Sequence, residues 1–234
     1  MIEETNLKTY LSISPNKFGI YLIDVKSFTY LYEQEIEIEN NFTSIDLNIL
    51  TKFLEDNVFN IEKLIGKFLN NICLIIKSKE IMQTKIGIKK KNYENKINKN
   101  FLDTLVIDVR DLFEENYQNE KVLHMIIKRY LVDGKSYTSL HNNFRGNDFS
   151  IEIQFNFISS NFISDISTVL EKYQIKITEY IDREYIEVFF NEDDMKLCEM
   201  ACKIENGYNE NEVKMIPKNT KNIGFFEKFF QLFS

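Results

Sequence analysis

The chain has 234 residues, enough for one large domain or two small ones and for a sizeable core, with 44% hydrophobic and 28% charged residues. Its 36 acidic residues outnumber 29 basic ones, and the net charge of −7 excludes a general nucleic-acid binder, which needs a positive footprint to displace phosphate counterions. Three cysteines make no disulfide framework, the opening MIEETNLKTY carries no signal pattern, and no apolar run approaches the roughly 18 residues of a membrane span, so the expectation is a cytoplasmic protein.

Residues 9–14, 18–24 and 29–38 are rich in Ile, Tyr and Phe around a Pro15-Asn16 turn signal, which predicts a three-strand antiparallel meander. Leu47, Leu50, Leu54, Val58, Ile61, Ile65 and Phe68 then step by three or four, predicting helix over 46–69. Thr43-Ser44 offers its cap, and Asp56-Asn57 is a point where it could divide in two. Residues 72–76 read as a short buried strand. Residues 77–100 are basic and irregular, with Lys89, Lys90, Lys91, Lys96 and Lys99; a solvated loop or strand edge is the plain reading and an anionic partner the functional one.

A second unit opens at 101. Leu102, Leu105, Val106, Val109, Leu112 and Phe113 form one helical face, and residues 122–133 form a strand ending in an Asp133-Gly134 turn. Phe149, Ile151, Ile153, Phe155 and Phe157 alternate with polar residues, the pattern of a strand with one wet face. A helix is expected over 162–173 and strands over 175–181 and 185–190. The fold class is therefore α+β. Residues 191–205 read as a closing helix and 206–222 as a linker.

On a helix at 100° per residue, Ile223, Phe225, Phe226, Phe229, Phe230, Leu232 and Phe233 share one half of the wheel. Such a helix, about 16–18 Å long, is too short to span a bilayer and marginal alone in water. With Lys214, Lys218 and Lys221 upstream, it fits an interfacial membrane helix on a tether; docking on its own core or on a partner groove is the alternative.

Signatures of catalysis are missing. His124 sits in an apolar strand pattern, which predicts a packed, hydrogen-bonded histidine. Cys198 and Cys202 lack the further ligands a metal needs, and Cys73 reads as core. The seven glycines form no phosphate-cradling loop. No enzyme, cofactor or metal is expected.

Three segments together resemble the bacterial cell-division protein FtsA, the actin-like membrane tether of the FtsZ ring. The run VLHMIIKRYLVDGKSY, with Leu123, His124, Tyr130, Val132, Asp133 and Gly134, is similar to a strand and turn of that family. Arg145-Gly146, the alternating strand and the 162–173 helix resemble the rest of its inserted SHS2 module, and GFFEKFFQLFS resembles its C-terminal amphipathic helix. The resemblance implies a partial actin-like (ribonuclease-H-like) subdomain over 1–80, an SHS2-like subdomain over 81–190, a closing helix over 191–205, a linker over 206–222 and a membrane helix over 223–234.

The departures from the family have consequences. The first hairpin carries Pro15 where the family places an Asp and Gly near phosphate, and the second actin half with its glycine-rich loops is not found between 190 and 206. The resemblance thus implies a nucleotide-independent, non-enzymatic adaptor. It would lie on the cytoplasmic face of the inner membrane at midcell. Much of the family's FtsZ-contacting surface falls in the missing half, so later division proteins or self-association are its expected partners. The same module occurs in actin-like pilus-assembly proteins, an alternative setting.

Overall fold

The computed structural model describes residues 6–39, 44–93, 95–139, 144–191 and 194–214. Strands β1 (Leu7–Ser14), β2 (Lys17–Asp24) and β3 (Thr29–Glu37) form the expected meander. Its first turn closes with Ser14 opposite Lys17, and the Ser14 hydroxyl lies 2.9 Å from Asn16 Oδ1 and 3.0 Å from the Lys17 carbonyl.

Helix α1 (Leu47–Ile65) follows. Its cap is Asp46, whose carboxylate accepts from the Asn48 and Ile49 amides, while Thr43 lies outside the described residues. Gly66, at φ 72°, ends it in the left-handed conformation. The helix does not divide at Asp56-Asn57. The Asn57 side chain donates to the Phe53 carbonyl at 2.6 Å and accepts from the Tyr32 hydroxyl at 2.7 Å, so this buried amide ties the helix to β3 instead of breaking it.

Strand β4 (Asn71–Ile76) lies parallel to β1, and β9 (Lys176–Asp182) lies parallel to β4. The sheet order is β3-β2-β1-β4-β9, an antiparallel meander continued by two parallel strands. This strand order resembles that of a partial actin-like, ribonuclease-H-like half. One face packs Leu11, Ile13, Leu22 and Leu74 against α1 and α3 (Ser160–Glu171). The other packs Tyr10, Ile23, Cys73 and Ile75 against α4 (Arg183–Phe189) and α5 (Leu197–Glu205).

The second sheet is wholly antiparallel, in the order β5-β8-β6-β7: β5 (Met82–Lys91), β6 (Glu120–Val132), β7 (Lys135–Tyr137) and β8 (Asp148–Ser159). Helix α2 (Lys99–Asn116) covers one face. Phe113 stacks on Phe155 with centroids 4.4 Å apart and meets Phe157 edge-on at 5.1 Å. The alternating apolar residues of β8 all point into this core, as expected. Gly146 allows a close approach: a Cβ there would stand 2.5 Å from Val132 Cγ1. The protein is thus a mixed α+β structure with two sheets and five helices among the described residues.

Several sequence expectations need correction. The irregular basic stretch contains β5, paired with β8 along its whole length. Its lysines are partly neutralised: Lys89 and Lys91 pair with Asp148, and Lys90 with Asp108. Strand β9, grouped with the second unit over 81–190, adds to the first sheet through β4, a parallel pairing no local pattern encodes. Residues 185–190 are mostly helix α4 and not strand. Asp182 caps that helix by accepting from the Glu184 and Tyr185 amides, and the turn buries Ile186. The closing helix is confined to α5, and residues 209–213 of the expected linker are bound to β6.

Candidate functional site

Strands β6 and β9 belong to different sheets, yet they meet. The Asp182 amide donates to His124 Nε2 at 2.9 Å. Beside this junction the two strands line a cleft of about 470 Å³. One wall is β6 from Lys121 to Met125; the other is β9 from Thr178 to Ile181. Arg110 and Glu114 of α2, the end of α5, and Glu212 to Lys214 complete it. Near its mouth Lys121 Nζ sits 4.7 Å above the Tyr180 ring, a cation–π contact linking the walls.

His124 and Glu212, which line the cleft, belong to a continuous polar network. Because Nε2 accepts a backbone hydrogen, the imidazole carries its proton on Nδ1, which donates to Glu212 Oε1 at 2.6 Å. Glu212 Oε2 accepts from the Tyr185 hydroxyl at 2.9 Å, and that hydroxyl accepts from Asn209 Nδ2 at 2.8 Å. Asp182 Oδ2 accepts from Asn156 Nδ2 at 2.9 Å. Burial first, and the neighbouring Glu212 carboxylate second, push the Tyr185 phenol upward. His124 is thus the packed, hydrogen-bonded histidine the sequence predicts, with both nitrogens engaged. His141 lies outside the described residues.

Residues 209–213 act as a strap that adds an edge segment to β6. The Ile127 amide donates to the Asn211 carbonyl and the Val213 amide to the Met125 carbonyl, each at 2.8 Å. The sequence reading missed Glu212, Asn209 and the strap because the stretch is polar and turn-rich. The one available signal was the apolar Val213 within NENEVKM.

A second cluster stands at the α5 end of the cleft. Glu205 accepts from the Tyr10 hydroxyl at 2.9 Å and pairs with Lys8 Nζ at 2.7 Å. Burial alone would lower the Lys8 ammonium, but Glu205 outweighs it and holds it above its ordinary range. Glu179 is raised, first by burial and then by repulsion from Glu205.

The three cysteines are all buried. Burial pushes the Cys198 thiol up to about 12 and raises Cys73 and Cys202 as well. Among the described residues no group of three or more His, Cys, Asp or Glu is placed to hold a metal, and no helix is long and apolar enough to cross a membrane. The sequence-predicted membrane residues Ile223, Phe225, Phe226, Phe229, Phe230, Leu232 and Phe233 lie outside the described residues.

No protein-family model and no curated protein matches the chain. Among solved structures it is similar to one described as the PilM-PilN type IV pilus biogenesis complex, at TM-score 0.48 and 7% identity, over 79% of this chain and 50% of that one. It is also similar to the cytoplasmic domain of EpsL, an inner-membrane component of the type II secretion system of Vibrio cholerae, at TM-score 0.36 and 7% identity, over 77% of this chain and 57% of that one. A Bacteroides thetaiotaomicron protein with an actin-like ATPase fold and unknown function is similar at TM-score 0.33 and 18% identity, over 82% of this chain and 60% of that one. The chain spans half to three-fifths of the length of these structures.

Proposed function

We propose that this chain is a non-enzymatic, membrane-tethered adaptor of the FtsA-like kind, which holds a division partner against the cytoplasmic face of the inner membrane. The observation that carries this reading is the cleft between β6 and β9. Two strand edges from separate sheets face each other across about 470 Å³, and the only described histidine uses both ring nitrogens to fix that geometry. A cleft braced in this way is suited to binding more than to proton transfer. Its edges offer backbone groups to an extended segment, and its walls carry both signs of charge, from Lys121 and Arg110 to Glu114 and Glu179. Lys8 and Glu205 already satisfy one another at its end.

The sequence supplies the rest of the reading. The half-wheel of Ile223, Phe225, Phe226, Phe229, Phe230, Leu232 and Phe233 is an apolar load that a lipid interface would cover, and the linker before it would act as a leash. Tethering raises the effective concentration of the cleft at the membrane, so a weak cleft contact suffices there. The self-contained Ser14-Pro15-Asn16 turn, at the hairpin that approaches phosphate in actin-like ATPases, supports a role without nucleotide.

The test is a photo-activatable residue at Tyr180 in the cleft, compared with one at Lys52 on α1. The adaptor reading expects cross-linking in cells to a membrane-anchored protein from Tyr180 alone, lost when residues 222–234 are removed. A partner from a pilus or secretion assembly would keep the adaptor but move it to another envelope machine. No cross-link from the cleft, or tight ATP binding by calorimetry, would overturn the reading.

A further inference from the structure

We infer that the exposed rings of Phe59 and Phe68 form a seat for this chain's own residues 223–234, and that the seat covers the apolar half of that segment whenever no membrane does. The seat is argued from the structure and the sequence alone; its competition with a membrane rests on the proposed function.

The spacing of apolar residues in α1 places Phe68 on its buried face, but the helix ends at Gly66 and Phe68 is 79% exposed. The turn that carries it is pinned. The Gly66 amide donates to the Glu62 carbonyl at 2.8 Å, the Leu69 amide donates to Glu62 Oε1 at 3.0 Å, and Leu69 itself is buried. Phe59 on α1 is 69% exposed, and both rings border one hollow of about 300 Å³ with Val58, Lys172 and Tyr173. Phe68 also borders a second hollow of about 270 Å³, with Leu7, Ile65 and Thr178. Two large rings with hollows beside them make a patch, which marks a surface that something covers.

The chain brings its own occupant to this patch. Lys214, the last described residue, borders the cleft between β6 and β9, and so does Thr178. Thr178 borders the hollow beside Phe68 as well, and its hydroxyl donates to the Ile72 carbonyl at 3.0 Å. The way from Lys214 to Phe68 therefore crosses two adjoining hollows. Residues 215–222 are eight in number and reach at most about 26–29 Å. Beyond them, Ile223, Phe225, Phe226, Phe229, Phe230, Leu232 and Phe233 share one half of a helical wheel, a load that is marginal in water without a surface. Residues three or four apart on a helix are neighbours, so two rings such as Phe226 and Phe230 can straddle Phe68, one towards each hollow. The rim carries both signs of charge, in Glu55 and Lys172, as does the polar half of the segment, in Glu227 and Lys228.

The other exposed apolar group, Val188, Phe189 and Tyr208, fits this occupant less well. Its rings already meet: Tyr208 lies 6.3 Å from Phe189 and 5.4 Å from Phe190, and Lys203 Nζ stands 5.8 Å over Tyr208. Seat and lipid would cover the same rings of the segment, so they exclude one another. A segment that is seated most of the time binds membrane more weakly, in proportion to the fraction unseated.

The experiment places Lys172→Cys and Gln231→Cys together in the intact chain and treats it with a flexible bismaleimide. Cys73, Cys198 and Cys202 are buried, so the two introduced thiols are the ones that react. A cross-link within one chain is expected in lipid-free buffer, at a yield independent of protein concentration. Adding Phe59→Ser and Phe68→Ser should remove it, and because both rings are exposed these changes should leave thermal unfolding unaltered. Lys89→Cys on β5 of the second sheet, paired with Gln231→Cys, should not cross-link. Vesicles of equal phosphatidylglycerol and phosphatidylethanolamine should reduce the 172–231 cross-link, and the Phe59→Ser, Phe68→Ser chain should bind them about three- to tenfold more tightly than the unaltered chain. No cross-link from position 172, an equal one from position 89, a cross-linked dimer in place of the intrachain product, or a cross-link that survives the serine changes would each overturn the seat. Unchanged vesicle affinity of the serine variant would overturn the competition. An intrachain cross-link with no vesicle binding by either form would support the seat and overturn the membrane anchor of the proposed function, so the two readings fail separately.

Discussion

His124 holds the two sheets together through partners far away in sequence. Removing its ring leaves Glu212 Oε1 and the Asp182 amide without their bonds to it in a largely buried site, and breaking one member of such a network costs about 2–4 kcal/mol. His124→Ala should therefore lower the urea midpoint by that equivalent, and a loss under about 0.5 kcal/mol would mean that water replaces the ring. Glu187 supplies a pH dependence. Partial burial alone would raise its carboxyl, but hydrogen bonds from Lys77 and Arg183 outweigh this and hold it below its ordinary 4.5. A depressed carboxylate stabilises the fold above the unfolded value, and that stability is lost as pH falls through the lower folded one. Lys77→Met should thus cost about 0.2–1 kcal/mol at pH 7, and the difference from the parent should vanish well below pH 4.5. Thermal unfolding across that range would check it. At this scale the sequence showed that His124 is packed, since an apolar strand surrounds it. It could not show Glu212 or Tyr185, because those bonds exist only after three elements come together.

Among the elements, α4 shows where local preference misleads. Tyr185, Ile186, Val188, Phe189 and Phe190 are all residues that favour strands, yet the Asp182 cap and the burial of Ile186 against the first sheet make a helix. Similarly, Asp56-Asn57 looked like a break, but Asn57 finds partners in Phe53 and Tyr32. The β8 alternation and the Asp133-Gly134 turn were legible because their signals are local: a period of two, and backbone φ values of 48° and 80° that suit Asp and Gly. The strap was hidden because its edge pairing with β6 rests on only two backbone bonds. Val213→Pro removes the amide that donates to Met125. Hydrogen exchange at Ile127 should then speed up at least tenfold while α1 amides stay protected; unchanged exchange at Ile127 would show that the strap does not hold that edge.

For the whole molecule, the meander, helix and strand of the first sheet were readable because each carries its own local pattern, although β4 pairs with β1 and not with β3. The placement of β9 was not, since about a hundred residues separate it from β4. This long return puts β9 opposite β6 and so creates the cleft. The molecule can thus be understood as two sheets that meet where β6 approaches β9. The proposed function requires this body to work at the membrane. Imaging an N-terminal fluorescent fusion in dividing bacterial cells, with and without residues 222–234, tests it most directly. A membrane-tethered adaptor should give an envelope signal concentrated at midcell that becomes diffuse when the tail is removed, and a diffuse signal from both forms would contradict it.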